Sequence, residues 1–185
     1  LTLEKLKENP SGIDLGPLQP LLPDRLMTPD KRVRCDVPET LADRERLKAE
    51  FSGDHDGMLR LIGRRHVRSN NSWMHNYHRL VKGKDRCTLM MHPDDMAHRD
   101  IDNGDEVAVS SRSGTVHVKV EATEDVMPGV VSLPHGFGHN RDGIRMATAV
   151  KHAGVSCNDI TDEQYLDQLS GNAAVNGVPV SVQPV

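Results

Sequence analysis

Glu106-Val107-Ala108-Val109-Ser110-Ser111, Arg112-Ser113-Gly114 and Thr115-Val116-His117-Val118-Lys119-Val120-Glu121 form the stretch that decides the fold. Val116, Val118 and Val120 alternate with His117, Lys119 and Glu121. That two-residue period belongs to a strand with one face in a core and the other in water. Ser113-Gly114 supplies the turn that joins Glu106–Ser111 to this strand as a hairpin. Upstream, Cys87–Met91 (CTLMM) is too short an apolar run for a helix and reads as a buried strand. His92-Pro93-Asp94-Asp95 then opens a short helix, because proline suits the first helical turn. Met58–Ile62 (MLRLI) reads as a strand ending at Gly63, and Gly129–Leu133 and Val178–Val182 as two more. A long loop rich in Gly, His and Asn covers roughly 134–145. Several short strands, few helices and regular turn signals predict a mainly β chain, a small barrel or sandwich.

The remaining segments are less regular. Asn71–Leu80 predicts a helix capped near Asn70 or Asn71, and 40–50 a short helix capped by Thr40. Pro10, Pro17, Pro20, Pro23, Pro29 and Pro38 break any long helix before it. We therefore divide the chain into a lead-in with a short helix over 1–56, expected to lie on a partner domain, and a β domain over 57–185. Aromatic residues are only 3% of the chain, so the core must come from Val, Leu, Ile, Met and Ala.

A net charge of −4 argues against a general nucleic-acid binder, which shows a basic surplus. A local arginine cluster can still hold one anion. Cys35, Cys87 and Cys157 fit neither a zinc pattern nor a redox pair, and point to reduced thiols in the cytoplasm. No apolar run reaches the ~20 residues of a membrane span, and no signal peptide is visible. Leu1 is not a methionine, so an upstream export signal stays compatible with this reading.

Two stretches carry candidate chemistry. Gly63-Arg64-Arg65-His66-Val67-Arg68 is followed by Asn70-Asn71-Ser72. Arginines between a strand end and a helix start suit a phosphate group, through bidentate contacts and free backbone N–H groups; a solvated basic loop with an ordinary cap is the plainer alternative. Pro134-His135-Gly136-Phe137-Gly138-His139-Asn140 follows an apolar strand, and its glycines let backbone approach a ligand. His135 and His139 offer two metal ligands, one short of a usual catalytic zinc set. His75 and His78 read as solvated positions on a helix face. No Ser-His-Asp order, P-loop or dinucleotide GxGxxG is present. Asp94, Asp95, Asp102 and Asp105 suit caps and turns, and Asp95 also suits a guanine edge as acceptor.

In series these motifs resemble the molybdopterin oxidoreductases of the dimethyl sulfoxide reductase and formate dehydrogenase group. Arg64-Arg65 leading to Asn71-Ser72-Trp73 and Asn76 resembles that family's "R…NSW…N" segment. His92-Pro93-x-Asp95, Asn103-Gly104-Asp105 and Pro128 to His139 ("PGVVSLPHGWGH") follow in order. Asn158-Asp159-Ile160-Thr161-Asp162, Ser170-Gly171-Asn172 and Asn176-Gly177-Val178-Pro179-Val180 complete the match, which runs from about residue 57 to 185. Three departures stand out: Phe137 replaces the usual tryptophan, Ser156 a common asparagine and Asp100 a frequent glycine.

The resemblance implies a double-psi β-barrel of about six strands with a few short helices, the last of four domains in such enzymes. It implies that Gly63, Arg64, Arg65 and His66 lie against a pyrophosphate or pterin, and that Asn71, Ser72 and Asn76 supply hydrogen bonds. His135 and Gly136 would approach the pterin, and Asn158 would bond the cofactor; Asp95 joins these candidates on the separate ground of its carboxylate. That cofactor is molybdopterin guanine dinucleotide in its bis form, with molybdenum or tungsten, held jointly with the family's other domains. A 4Fe-4S cluster belongs to the family's N-terminal part, whose cysteines have no counterpart here. No metal ligand or catalytic residue is assigned within the chain. Two other functions remain in view: a freestanding double-psi barrel serving as an interaction module without cofactor, and a small metal-dependent hydrolase using His135 and His139.

Overall fold

The computed structural model describes residues 1–52 and 57–185. Contacts divide the chain into two compact units, Leu1–Arg44 and Glu45–Val185. The expected division at 56/57 borders residues 53–56, which lie outside the described residues.

In the first unit, α1 (Leu3–Lys7) is a short helix that the proline-based reading did not anticipate. The Thr2 hydroxyl caps it, accepting from the Lys5 N–H at 3.3 Å. No residue of Leu1–Arg44 is buried. α2 (Pro38–Ser52) begins two residues before the expected cap at Thr40. Pro38 tolerates the first turn because its missing N–H would have no partner there, and the Val37 carbonyl accepts from Leu41 N.

The second unit is built on six strands. β1 (Leu59–Arg64) is followed by α3 (His78–Val81), β2 (Thr88–Met91) and α4 (Pro93–Ala97). β3 (Glu106–Ser110), β4 (Thr115–Ala122), β5 (Val130–Pro134) and β6 (Val178–Pro184) complete the set, with 3₁₀ turns at Ala149–His152 and Cys157–Ile160 before β6. The strands close in the order β1-β5-β2-β4-β3-β6. β1–β5 and β2–β4 are parallel, and the other four pairs antiparallel. An up-and-down barrel has no parallel pairs, so two crossing connections are built in, in keeping with the expected double-psi barrel.

The core follows from strand period. Each strand sends alternate residues inward: Leu59 and Leu61, Leu89 and Met91, Val107 and Val109, Val116, Val118 and Val120, Val131 and Leu133, and Val178, Val180 and Val182. All are at most 6% exposed, which fills a six-stranded barrel with aliphatic side chains alone. Met96, Ile101, Cys157 and Ile160 join the same cluster from outside the strands. Burying each such side chain is worth roughly 1.5–3 kcal/mol.

The helix expected over Asn71–Leu80 is largely absent, and only α3 forms. Asn70 and Asn71 both take left-handed backbone, at φ 42° and 60°. Two successive residues in that region stop a right-handed helix from starting. Turns cover Val67–Asn76 instead.

Candidate functional site

The strand directions bring the two chemistry-bearing stretches together. β1 and β5 are parallel, with Gly63 opposite Leu133 and Arg64 opposite Pro134. β2 runs antiparallel to β5, with Met90 opposite Ser132, so its start at Thr88 lies at the same barrel end. Gly63–Arg64, His135–Gly136 and Thr88 therefore share one rim.

Two glycines make the junction tight. A Cβ on Gly63 would sit 2.1 Å from His135 Nε2, so the imidazole lies over bare backbone. A Cβ on Gly136 would sit 2.3 Å from the Asn71 carbonyl oxygen and 2.8 Å from Ser72 N. The Gly63 N–H donates to Asn176 Oδ1 at 2.8 Å, and the His135 N–H to the Arg64 carbonyl at 3.0 Å. Gly63, Arg64, Asn71, Ser72, His135 and Gly136 are thus one contiguous feature.

Beside it opens a cleft of about 280 Å³. Leu80, Val81, Met90, Pro134 and Phe137 give it an apolar wall, and Arg64, Arg68, Lys84 and Arg86 outnumber Asp85 and Glu121 around it. Arg65 lies outside this cleft, in a shallower neighbouring depression with Asn70, Asn71 and Met74. His66 borders both. Burial first, then the charges of Arg86, Arg68 and Arg64, pushes His66 below the ordinary histidine value. Its Nδ1 accepts from the Arg68 N–H at 3.1 Å, so the proton of the neutral ring sits on Nε2.

Arg64 is mostly occupied by the fold. Its guanidinium donates to the carbonyls of Ser132, Arg86 and Thr88 and to Thr88 Oγ1. It thereby ties β1, β5 and β2 together at the rim, and burial lowers its pKa. Thr88 Oγ1 donates onward to Glu121 at 2.7 Å, and Lys84 Nζ donates to the same carboxylate at 2.7 Å. Those hydrogen bonds, Lys84 first, hold Glu121 below the usual carboxylate range. The sequence reading missed Thr88, Lys84 and Glu121. Glu121 occupies an outward position of the alternating strand, a place that by itself signals only solvent.

His75 and His139 depart most from expectation. His75 is buried, not solvated on a helix, and its Nδ1 lies 2.7 Å from His139 Nε2. Phe137 covers it, with ring centroids 4.4 Å apart. His139 therefore pairs with His75, while His135 Nδ1 lies 3.4 Å from Cys157 Sγ. The two-histidine metal site expected as an alternative is not assembled. Among the described residues no three His, Cys, Asp or Glu side chains cluster as a metal set.

Burial, followed by the charge of His139, lowers the pKa of His75, and burial lowers that of His139. The Gly136 carbonyl opposes both shifts. The sign follows by linkage. Unfolded histidines bind protons near pH ~6.5, while the folded pair resists, so the unfolded state holds more protons in acid. The pair's contribution is complete above about pH 6.5 and is lost as pH falls toward the folded values. Thermal melts should show Tm falling from pH 7.5 to 5.5, and a His75→Phe, His139→Phe double variant should flatten that slope. A slope unchanged in the double variant would contradict the assignment.

The other expected site residues have plainer surroundings. Asn76 Oδ1 accepts from the N–H groups of Thr148 and Ala149, at 3.0 and 3.2 Å, and so starts the first 3₁₀ turn. Asp95 is buried on α4, accepts from the Gly129 N–H at 2.7 Å and lines neither depression. Asn158 is exposed beside Cys157, the cysteine facing His135. Burial raises the pKa of Cys157 and pushes Cys87 up to about 11, so neither is a thiolate at neutral pH.

Fold and site together define a class: a closed mixed barrel with a tight, cation-rich rim where two loops meet. The family model described as "Molydopterin dinucleotide binding domain" matches residues 59–179. The chain belongs to that family of molybdopterin dinucleotide-binding domains. Relatives include a tetrathionate reductase of Salmonella typhimurium, 27% identical over 58% of this chain and 12% of that protein. The molybdopterin-containing polypeptide of the arsenate respiratory reductase of Chrysiogenes arsenatis is 32% identical over 59% of this chain and 13% of its own length. Acetylene hydratase from Pelobacter acetylenicus shares the fold, with a TM-score of 0.60 at 15% identity over 78% of this chain and 20% of that one. The chain thus spans about an eighth of the length of these two reductases.

Proposed function

We propose that this chain is the part of a molybdenum or tungsten oxidoreductase that holds one end of a molybdopterin guanine dinucleotide, in the bis form, jointly with other domains of the same enzyme. The observation that carries this reading is the rim where Gly63 and Gly136 let the His135 ring and the Asn71–Ser72 backbone close together beside the arginine-lined cleft. The residues fit such a group on chemistry as well. Arg65, Arg68 and Arg86 supply positive charge for a pyrophosphate. Exposed Asn71 and Ser72 present polar groups beside the Gly136 backbone, and Phe137 and Met90 give a flat ring an apolar wall.

When bound, the cofactor supplies the metal-centred redox chemistry, while the protein binds and orients it. Arg64 acts through the fold: by fixing the Ser132 and Thr88 carbonyls it holds the rim at a set width. A 4Fe-4S cluster and the substrate site belong, on this reading, to the other domains. Exposed apolar side chains along the first unit, Leu18, Met27 and Val33 among them, suit a lead-in that lies against such a domain.

The test is metal and nucleotide analysis of the polypeptide carrying this chain, purified from its native host. The expected result is about one molybdenum or tungsten per polypeptide, with guanine nucleotide in twofold excess over the metal. A preparation with neither would favour the interaction-module reading.

A further inference from the structure

His75 and His139 join the two loops of the rim side chain to side chain. His75 belongs to the 67–76 turns and His139 to the loop after β5, and their rings meet at 2.7 Å, Nδ1 to Nε2. They are buried, at 3% and 6% exposure, and the Phe137 ring packs on His75 from the same loop as His139. The close approach of Gly136 to Asn71 lies between the same two segments.

Protons make this contact conditional. Whichever ring donates, a hydrogen bond between two imidazoles needs one N–H and one lone pair. Two imidazolium rings have no lone pair, so two protons turn the contact into facing N–H groups. A first proton is already costly. A charged His75 carries an N–H at Nε2, and that buried nitrogen has no hydrogen-bond partner among the described residues. Phe137 offers no acceptor. The charged groups that share the cleft's lining with His75 do not compensate. Arg64 at the end of β1, His66 and Arg68 after it, Lys84 and Arg86 before β2, and His152 in the first 3₁₀ turn are basic. The acids there are already engaged: Asp85 accepts from the Cys87 N–H, and Glu121 accepts from Lys84 and Thr88. Released into water, both rings would bind protons near pH ~6.5.

We propose that the His75–His139 pair is an acid-sensitive latch, which holds the 67–76 turns against the 134–139 loop at neutral pH and lets them part below about pH 6.5 while the barrel stays folded. Burial lowers the pKa of both rings, which acts in the same direction. A ligand that needs both loops is then gripped at neutral pH and released in acid. That consequence rests on the proposed function; the latch itself stands on the pair and is read without a ligand.

Amide hydrogen exchange of the ligand-free 185-residue chain at pH 7.5 and 5.5, compared as protection factors, tests the latch. The N–H groups of Met74, His75, Gly138 and His139 are the reporters, since each donates to a backbone carbonyl in or beside these loops. Over that interval, release of two histidines makes opening more frequent by about tenfold if the closed pair keeps one proton, and by about a hundredfold if it keeps none. Reporter protection should fall by a factor in that range and stay below that of the β4 and β5 amides. Urea short of the unfolding transition should speed exchange in those strands and leave the reporters unchanged, the mark of a local opening. Two double variants remove both titrating rings. His75→Phe with His139→Phe keeps an apolar contact, and His75→Gln with His139→Gln keeps groups that can still bond. Either one, when folded, should change reporter protection by less than about twofold between the two pH values. Reporter protection that does not change with pH, that equals strand protection in acid, or that falls in a folded variant as far as in wild type overturns the latch. Each of those results leaves the proposed function standing, because no ligand takes part.

Discussion

Gly136→Ala should destabilise the barrel by about 3 kcal/mol or more and abolish cofactor retention. Gly136 has φ 84°, a left-handed conformation that disfavours any Cβ. The added methyl would also meet the Asn71 carbonyl oxygen at 2.3 Å and its carbon at 2.4 Å. Both are backbone, so relief requires moving the 67–76 turns away from the 134–139 loop, which would open the rim. Gly143→Ala is the control, with φ 86° but nothing within 4 Å of its Cβ. It should show only the conformational cost, about 1–2 kcal/mol. Gly63→Ala makes a third comparison. Its collision is with the His135 ring, a side chain that can rotate, so His135 placement should suffer more than stability. Urea denaturation of the three variants checks this ranking; equal losses at 136 and 143 would contradict it.

Arg64→Met should cost about 2–4 kcal/mol, since charged hydrogen bonds net about 1.5–3 kcal/mol each and the guanidinium is only partly buried. At this chain length that corresponds to a fall in Tm of roughly 5–15 °C. The methionine fills the stem's space but leaves the Ser132 and Thr88 carbonyls and Thr88 Oγ1 without their donor. Lysine should not rescue it, because an ammonium cannot fork across three strands. Full stability with lysine would show that charge, and not the planar fork, is what the rim needs. The salt bridge of Arg112 with Asp162 and Glu163 makes a useful contrast. Arg112 and Glu163 are exposed, solvent screens the pair, and removing it should change stability far less than Arg64→Met.

The barrel was legible because its core has a simple source. Valines two residues apart in Glu106–Glu121 set both strands and their inward face, and all six expected strands form within two residues of their expected ends. The junction of the two candidate loops became visible only through topology, since β1 and β5 are parallel neighbours separated by about seventy residues of chain. The 71–80 helix failed for a local reason: polar residues that read as caps, Asn70 and Asn71, took left-handed backbone instead. That conformation is what lets the turn meet Gly136. His75 was misplaced for the same reason, since without the helix it turns inward to His139. Thr88 and Glu121 carry no distinctive spacing, and their link to Arg64 exists only once β2 and β4 pair.

The central claim is that a dinucleotide cofactor seats on the rim shared by 63–72 and 134–139. Hydrogen–deuterium exchange of the chain, with and without molybdopterin guanine dinucleotide, tests it most directly. The account predicts protection concentrated in Gly63–Asn76 and His135–Asn140, with little change in Asp162–Val175. Protection confined to other segments, with those two loops unaffected, would contradict it.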